Sequence, residues 1–338
     1  MTRPFDITID VPGNEEITLA MLLLGALASD ACELYKPRLD GADAGVMMGA
    51  IGELGARVER ATGGDIVVWG CGPRWKPAAP DTVLTLRDAG TPTRLLSLAA
   101  MLAPPGRTVM IHGSPELSTG EIGAIVRMIR ALGGEVDEVG GPGAWPIRVH
   151  GLAEESQFTP VRADWEGAAG LIPAVLLIGP FAPYGSAVFL AGESEIGPEI
   201  HRTMELLDRA GAAAFSREVD AEVCVQSQTP EGELGGFQHT VEPDAALAGL
   251  WWTAAVMCPG SRAAVNGRWA KSVQAGARIA NVLLKMSGGR AAGNAEMKPG
   301  SLSLRGAERV HAVDADVRAY PDAGLVLAAA CAVADGPS

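Results

Sequence analysis

The chain carries an internal repeat, and this repeat limits the folds open to it more than any other feature. Amphipathic helices are predicted to close at four glycine-containing pairs, Leu54-Gly55, Leu132-Gly133, Ala210-Gly211 and Ser287-Gly288, which lie 78, 78 and 77 residues apart. Glycine is the usual left-handed stop of a helix. Strand-to-helix junctions keep the same phase at Asn14, Asp88, Asp164, Asp244 and Asp316, with spacings of 74, 76, 80 and 72 residues. Two series in phase predict a tandem array of one structural motif.

Each repeat is predicted to run strand, buried helix, strand, amphipathic helix, strand, strand. The first helix of each repeat is apolar almost all round, and such a helix must be covered on all sides. These helices are Ile17 to Ala28, Leu95 to Leu102, Leu171 to Ala182, Leu250 to Met257 and Leu325 to Val333. The predicted fold class is α/β, with four complete βαβαββ repeats and a partial fifth.

Two places in the sequence suggest where the chain passes between domains. The polar, glycine-rich stretch 226–236 follows the third repeat and is the best linker, and the first strand ends at Pro12-Gly13. We therefore predict a three-repeat domain over 13–226 and a second domain built from 1–12 plus 237–338. A chain of this length is ample for two cores.

Charge and cysteine usage exclude several classes of function. The net charge of −13 disfavours nucleic acid and anionic membranes as partners, because a phosphate surface needs a basic face. The five cysteines are scattered without a CxxC pair, so neither disulfides nor a zinc site is predicted, and no cofactor is expected. The apolar run Ile17 to Ala28 is too short for a membrane span, and no signal segment precedes it. We expect a cytoplasmic protein.

The first candidate for a binding site is the turn Asp88-Ala89-Gly90-Thr91-Pro92-Thr93-Arg94. It joins an alternating strand to an apolar helix, whose first turn offers free backbone N–H groups. Such a helix start suits an anion, and Arg94 would add a fixed positive charge. The alternative is a capped helix with a surface arginine.

Several motifs resemble landmarks of one protein family. They are Val11-Pro12-Gly13, the turn from Asp88 to Arg94, Gly113-Ser114-Pro115 with Ile122-Gly123, and Tyr320-Pro321-Asp322-Ala323. All are similar to motifs of the enolpyruvyl (carboxyvinyl) transferases, most closely the 5-enolpyruvylshikimate-3-phosphate synthases, and the resemblance covers essentially the whole chain. It implies a two-domain inside-out α/β barrel whose active site lies in the cleft between the domains.

The chain departs from this family at positions that face phosphate. The family begins its first helix with a lysine and a serine that hold phosphate and the enolpyruvyl donor, whereas this chain has Glu15 and Glu16, and Ala20 replaces an arginine. A Ser-Ser-Gln element is replaced by Ala168-Ala169-Gly170, and Gly120 stands where an arginine for the donor is expected. The resemblance therefore implies poor binding of a phosphorylated sugar acid and of phosphoenolpyruvate.

The second departure lies after the last junction, Asp316, which only 22 residues follow. The family has six repeats, and its later Lys/Arg-rich elements grip the donor. We expect the missing part to come from a small partner polypeptide, with a homo-oligomer contact or a shortened sequence as alternatives. A half-repeat would leave apolar helix faces exposed.

Candidate roles follow from the motifs and the resemblance. Asp322 matches a family aspartate that contacts a substrate hydroxyl and transfers a proton; a helix cap is the alternative. Glu15 and Glu16 are candidate acids, or ordinary first-turn acids. Arg94 is a candidate clamp for a substrate carboxylate, or a structural ion pair. Asp88, Gly90, Thr91 and Trp165 complete the predicted substrate site, although packing suits Trp165 better.

Three functions remain open from the sequence. The preferred hypothesis is an elimination of the dehydratase type on a non-phosphorylated, shikimate-like cyclic hydroxy acid, in which two carboxylates divide the acid and base roles. The second is carboxyvinyl transfer from phosphoenolpyruvate, with cationic groups supplied by a partner chain. The third is a non-catalytic subunit.

Overall fold

Four sheets with one shared topology make up the framework of the molecule. The computed structural model describes residues 3–114, 119–153, 155–190, 196–229, 233–289 and 293–338. Each sheet of these residues has four strands, of which the first two are parallel and the last two form an antiparallel hairpin. A helix follows the first strand and another follows the second. The predicted α/β class and βαβαββ repeat are confirmed.

Three of the sheets belong to the large unit, Glu15–Val241. Its first repeat contains α1 (Glu15–Ala26), β2 (Ala31–Tyr35), α2 (Ala42–Glu53), β3 (Arg57–Arg60) and β4 (Ile66–Trp69). The second contains β5 (Asp81–Arg87), α3 (Gly90–Ala99), β6 (Thr108–Gly113), α4 (Thr119–Ala131), β7 (Val136–Glu138) and β8 (Ile147–His150). The third contains β9 (Val161–Arg162), α5 (Ile172–Ile178), β10 (Ser186–Leu190), α6 (Pro198–Ala210), β11 (Ala213–Val219) and β12 (Glu222–Gln228), and β13 (Gln238–Thr240) follows.

The small unit, Met1–Asn14 with Glu242–Ser338, holds the fourth sheet. It contains β1 (Asp6–Ile9), α7 (Ala245–Met257), β14 (Arg262–Asn266), α8 (Ile279–Met286), β15 (Ala295–Lys298) and β16 (Ser301–Arg305). The helix α9 (Pro321–Cys331) is the beginning of the fifth repeat, and it packs on α7 and α8.

The first and fourth repeats exchange their leading strands. β1 precedes α1 in the chain but pairs in parallel with β14, while β13 pairs in parallel with β2. Each exchange completes a sheet with a strand from a distant part of the sequence. The sequence assigns residues from 237 onward to the second domain, whereas β13 lies in the large unit, where it pairs with β2.

The chain passes from one unit to the other twice, after Asn14 and before Glu242, and we call these two places the crossings. The residues at the two crossings are hydrogen-bonded to each other. The Asn14 N–H donates to the Glu242 carbonyl at 2.8 Å, and the Asp244 N–H donates to the Pro12 carbonyl at 2.9 Å. The Asp244 carboxylate also caps α7 by accepting from the Leu247 N–H at 2.9 Å. The crossing that carries the chain out of β1 thus fixes the start of α7.

One buried amide joins both crossings. Gln274 Oε1 accepts from Asn14 Nδ2 at 3.1 Å and from the Ala245 N–H at 2.9 Å. Gln274 Nε2 donates to the Pro243 carbonyl at 2.8 Å and to Glu242 Oε2 at 3.3 Å. A buried amide with its donors and acceptor satisfied stabilises one arrangement of the backbone around it.

The apolar helices of the large unit are buried as predicted. Every residue of α1 from Ile17 to Ala26 is buried, and α1, α3 and α5 pack on one another. The four glycines that were predicted to stop the amphipathic helices all have positive φ, at Gly55, Gly133, Gly211 and Gly288. α5 is shorter than the predicted Leu171 to Ala182, because 3-10 turns at Ala169–Leu171 and Gly179–Phe181 replace its ends.

The expectation of full cover is wrong for α7 and α9. Trp252 is fully buried and stacks edge-on against Trp269, with ring centroids 4.8 Å apart, whereas neighbouring Trp251 is 43% exposed. Leu250 and Leu325 are 50% and 79% exposed. α7 packs on its sheet and on α9 along one side, and α9 packs on α7 and α8, which leaves the other side of each helix outside the small unit's core. Among the described helices, none is long and apolar enough to cross a membrane.

Replacing Gln274 by alanine is expected to destabilise the small unit. The change removes four hydrogen bonds at the crossings, and it deprives the buried Ala245 N–H of its acceptor, which costs about 1–3 kcal/mol. Urea denaturation followed by circular dichroism should show a lower midpoint. Gln238→Ala is the matched control, because Gln238 is exposed and makes one long side-chain hydrogen bond, to Glu33 at 3.3 Å. Equal midpoints for the two variants would contradict the role of Gln274.

Candidate active site

The start of α3 offers a backbone site beside open space. β5 ends at Arg87, which has a φ of 53°, and the chain turns through Asp88 into α3. A side-chain carbon built on Gly90 would have no described heavy atom within 4 Å apart from its chain neighbours and the backbone of its own helix, so the first turn is accessible to a ligand. No side chain caps this turn in the described structure, and its N–H groups are suited to an oxygen ligand.

Arg94 is not the isolated cation that the sequence suggested. Its Nη1 lies 3.1 Å from Glu121 Oε1 on α4, and about a third of each side chain is exposed. Its Nη2 also reaches the Thr91 hydroxyl at 3.5 Å. Glu121 therefore occupies one edge of the guanidinium, and the alternative of a structural ion pair describes the observed contact.

A further carboxyl group, that of Asp43, lies within electrostatic reach of both Arg94 and Asp88. Burial raises the pKa of Asp43, in the first turn of α2, and the nearby Asp88 carboxylate raises it further, while Arg94 partly offsets both. The neighbourhood of this single arginine therefore contains the carboxyl groups of Asp43, Asp88 and Glu121.

The start of α1 lies against the start of α2. The Glu15 carboxylate rests on the backbone of Gly41, where any larger residue would overlap it, and Gly41 directly precedes α2. The Arg38 N–H donates to the Thr18 hydroxyl at 3.0 Å, which ties the loop before α2 to α1. Glu15 has no ion pair or hydrogen bond with any residue that the structure describes.

Glu16, by contrast, forms an ion pair. Its Oε2 lies 2.6 Å from Nη2 of Arg202 on α6, and the Arg202 side chain is only 19% exposed. A guanidinium stays charged at every relevant pH, so a mostly buried arginine requires an acidic partner. This contact favours a structural or charge-balancing role for Glu16 over that of a proton donor.

We call the residues around these helix starts the helix-start cluster. It consists of Glu15, Glu16, Gly41, Asp43, Asp88, Gly90, Thr91, Arg94, Glu121 and Arg202, all within the large unit. Five of its side chains are carboxyl groups and two are guanidinium groups. The cluster therefore carries an excess of negative charge when its carboxyl groups are ionised.

Trp165 lies in a packing environment. Its ring sits under the Arg127 guanidinium of α4 at 4.5 Å, and its indole N–H is buried without a described hydrogen-bond partner. The loop beyond it passes close to α4, where a side-chain carbon on Gly167 would lie 2.9 Å from the Ala124 side chain. The predicted contact of Trp165 with substrate remains a prediction.

Asp322 lies in the small unit, at the second position of α9 after Pro321. Its side chain is exposed and makes no hydrogen bond or ion pair with the residues that the structure describes. It therefore does not cap its own helix through a side-chain hydrogen bond. Its catalytic assignment rests on the Pro-Asp-Ala motif.

Four members of the cluster were missed by sequence reasoning, and one of them, Gly41, directly precedes α2 without a motif of its own. Asp43 and Glu121 are first-turn acids of amphipathic helices, a position that ordinary helix capping explains equally well. Arg202 lies within the amphipathic pattern of α6 and has no local motif. Within the described parts of the chain, no group of three or more His, Cys, Asp and Glu side chains could hold a metal ion.

Solved structures define the class of fold. An EPSP synthase from Acinetobacter baumannii superposes with a TM-score of 0.75 at 18% identity, over 99% of this chain and 73% of that one. The enolpyruvyl transferase NikO from Streptomyces tendae gives a TM-score of 0.67 at 13% identity, over 99% and 74%. The fold is the two-domain inside-out α/β fold of these proteins.

Sequence comparison then shows the family. The model of EPSP synthase (3-phosphoshikimate 1-carboxyvinyltransferase) matches residues 2–338, and the chain belongs to this family. A 3-phosphoshikimate 1-carboxyvinyltransferase of Ralstonia pickettii (strain 12J) is 31% identical over 97% of this chain and 74% of its own length. One of Methanoculleus marisnigri is 28% identical over 100% and 76%. These descriptions name no second polypeptide, so the comparisons do not support the predicted partner chain.

The raised pKa of Asp43 predicts how stability depends on pH. Because the pKa of Asp43 in the folded protein lies above the ordinary value of 3.8, the folded protein keeps this proton to a higher pH than the unfolded chain does. The free energy of unfolding therefore falls as the pH rises above 3.8. In Asp43→Asn this contribution is absent, so the variant should gain stability relative to the wild type as the pH rises above 3.8. Urea midpoints measured across that range test the sign.

Glu53→Gln is the control for this comparison, since it removes a carboxylate from the opposite end of α2. Its difference from the wild type should not follow the same pH window. A midpoint of Asp43→Asn that falls relative to that of the wild type as the pH rises above 3.8 would contradict the prediction.

Proposed function

We propose that the protein catalyses elimination of water from a non-phosphorylated, shikimate-like cyclic hydroxy acid, without phosphoenolpyruvate. The observation that carries this proposal is the charge of the helix-start cluster, in which both arginines are paired with glutamates. A dianionic phosphate would meet carboxyl groups and no unpaired guanidinium among the cluster's side chains. At about 4 Å, two like charges repel by roughly 1 to 4 kcal/mol, depending on screening.

Elimination suits the groups that the cluster retains. A base removes a proton from a ring carbon, the electron pair of that C–H bond forms the new double bond, and the C–O bond breaks. The departing hydroxyl takes a proton from an acid and leaves as water. Two carboxyl groups in different states supply both steps, and neither phosphate nor a donor molecule is consumed.

Glu15 is the preferred acid of the two first-turn glutamates. It has no basic partner among the described residues, whereas Glu16 is held by Arg202. The Glu15 carboxyl oxygens are therefore available to a ligand hydroxyl, whereas a Glu16 oxygen is bound to Arg202. The first-turn N–H groups at Gly90 and Thr91 would bind ring oxygens, and Asp322 is the proposed proton acceptor on the strength of its motif.

Arg94 remains a proposed ligand of the substrate carboxylate, but through only part of its guanidinium group. Its guanidinium has five N–H donors, and the ion pair with Glu121 at 3.1 Å uses one edge of this fork. A ring carboxylate would bind the remaining edge, with Asp88 and Thr91 beside it. We therefore propose that Arg94 is shared between Glu121 and the ligand.

Carboxyvinyl transfer is the second candidate, and the comparisons are the observation that favours it. The family model spans nearly the whole chain, and the relatives are described as 3-phosphoshikimate 1-carboxyvinyltransferases. This function requires cationic groups that the helix-start cluster lacks, and a partner polypeptide is the proposed source. A non-catalytic subunit is the third candidate, which predicts binding without turnover.

Turnover of shikimate by the full chain tests the proposal directly. Elimination should produce a conjugated diene acid, detected by ultraviolet absorbance, with no requirement for phosphoenolpyruvate. A parallel reaction with shikimate 3-phosphate and phosphoenolpyruvate should release no phosphate. Phosphate release without diene formation would overturn the proposal in favour of carboxyvinyl transfer, and binding of shikimate without turnover would favour the subunit.

Single substitutions test the two proposed proton-transfer groups. Asp322→Asn and Glu15→Gln should each lower kcat by at least about 100-fold, the usual contribution of a positioned acid or base. Asp314→Asn is a matched control, because it removes an exposed carboxylate from the same unit as Asp322. An unchanged kcat in Asp322→Asn or Glu15→Gln would remove that residue from the reaction.

A further inference from the structure

Two glutamates hold the arginines of the helix-start cluster, and the pairs have different surroundings. Arg94 and Glu121 are each about one third exposed, whereas Arg202 is 19% exposed and reaches Glu16 from α6. Neither pair joins residues within one helix: Arg94 belongs to α3 and Glu121 to α4, while Glu16 belongs to α1. Each glutamate therefore comes from a different element than its arginine and is placed there by the tertiary structure.

Both pairs lie around one set of helix starts. Glu16 adjoins Glu15, whose carboxylate lies on Gly41 at the start of α2. Asp43, two residues further along, lies on α2, which packs on the helix α3 that carries Arg94. A ligand seated at the starts of α1, α2 and α3 would lie beside both pairs, because Glu16 is in the first turn of α1 and Arg94 is one turn into α3.

We infer that Glu16 and Glu121 are specificity-determining residues that exclude phosphorylated ligands by neutralising Arg202 and Arg94. This inference rests on the proposed function in placing the substrate at the helix-start cluster. A guanidinium binds phosphate through paired, charge-assisted hydrogen bonds, and a carboxylate in the same place removes that capacity. The two glutamates thus set the charge of the ligand, whichever reaction follows.

A plain structural role makes a different prediction. First-turn acids stabilise a helix through its dipole, and a buried arginine needs a counter-charge. If that were their whole role, replacing the glutamates would change stability and leave the affinity for phosphate unchanged. The two roles are therefore separated by a binding measurement.

The experiment uses Glu16→Gln, Glu121→Gln and the double variant of the full chain, with binding measured by calorimetry. The probes are inorganic phosphate and shikimate 3-phosphate. Each single variant should bind both probes about tenfold more tightly than the wild type, the equivalent of one charge-assisted hydrogen bond, and the double variant more tightly still. Affinity for shikimate itself should change less, since it carries one negative charge.

Glu222→Gln is the matched control. Glu222 forms an ion pair with Arg162 on another sheet of the same unit, so the variant loses the same charge and also leaves an arginine without its partner. Its affinity for phosphate should equal that of the wild type. No gain in the cluster variants, or an equal gain in Glu222→Gln, would overturn the inference.

The outcome is independent of turnover. If the wild type forms the diene acid but the cluster variants gain no affinity for phosphate, the proposed function stands and the selectivity role fails. If the variants gain affinity while the wild type leaves shikimate unchanged, the selectivity role stands and the elimination fails. Glu121→Gln removes the partner of Arg94 only. This variant therefore keeps the mostly buried Arg202 paired with Glu16.

Discussion

The exchange of leading strands is the constraint on which the rest of the structure depends. Residues 6–9 complete the sheet of the small unit and residues 238–240 complete the first sheet of the large unit, so the chain must cross twice. The crossings run side by side, bonded through Asn14 and Glu242 and joined by the buried amide of Gln274. Since α7 starts directly after the second crossing, its start is fixed by this arrangement.

Most of the framework could be predicted because its determinants are local. The glycines that end the amphipathic helices mark the period, and the apolar helices of the large unit follow from composition alone. The unit to which β13 belongs could not be predicted, because its partner β2 lies more than 200 residues away and the strand is short and polar. The exposure of Trp251 beside buried Trp252 likewise depends on which side of α7 has neighbours.

The candidate site was predicted less completely than the fold, because its interacting residues are again far apart in the sequence. Glu15, Glu16, Asp88 and Arg94 stand out from motifs, and the structure gathers them around the starts of α1 and α3. Their electrostatic partners do not stand out, because Glu121 and Arg202 come from later helices and look like ordinary surface charges in sequence. The sign of the charge at a binding site is a sum over such partners, so a single arginine in a motif is a weak guide to the ligand.

The exchanged strands also set an order of assembly during synthesis. The second and third sheets of the large unit draw all their strands from one stretch of chain, and each can form as soon as its hairpin leaves the ribosome. The first sheet waits for residues 238–240, and β1, made first, stays unpaired until β14 follows it. Such long-range pairings slow folding, because the entropic cost of closing a large loop precedes the formation of any stabilising hydrogen bond. The strand β1, which is synthesised first, is thus among the last to pair with its neighbour in a sheet.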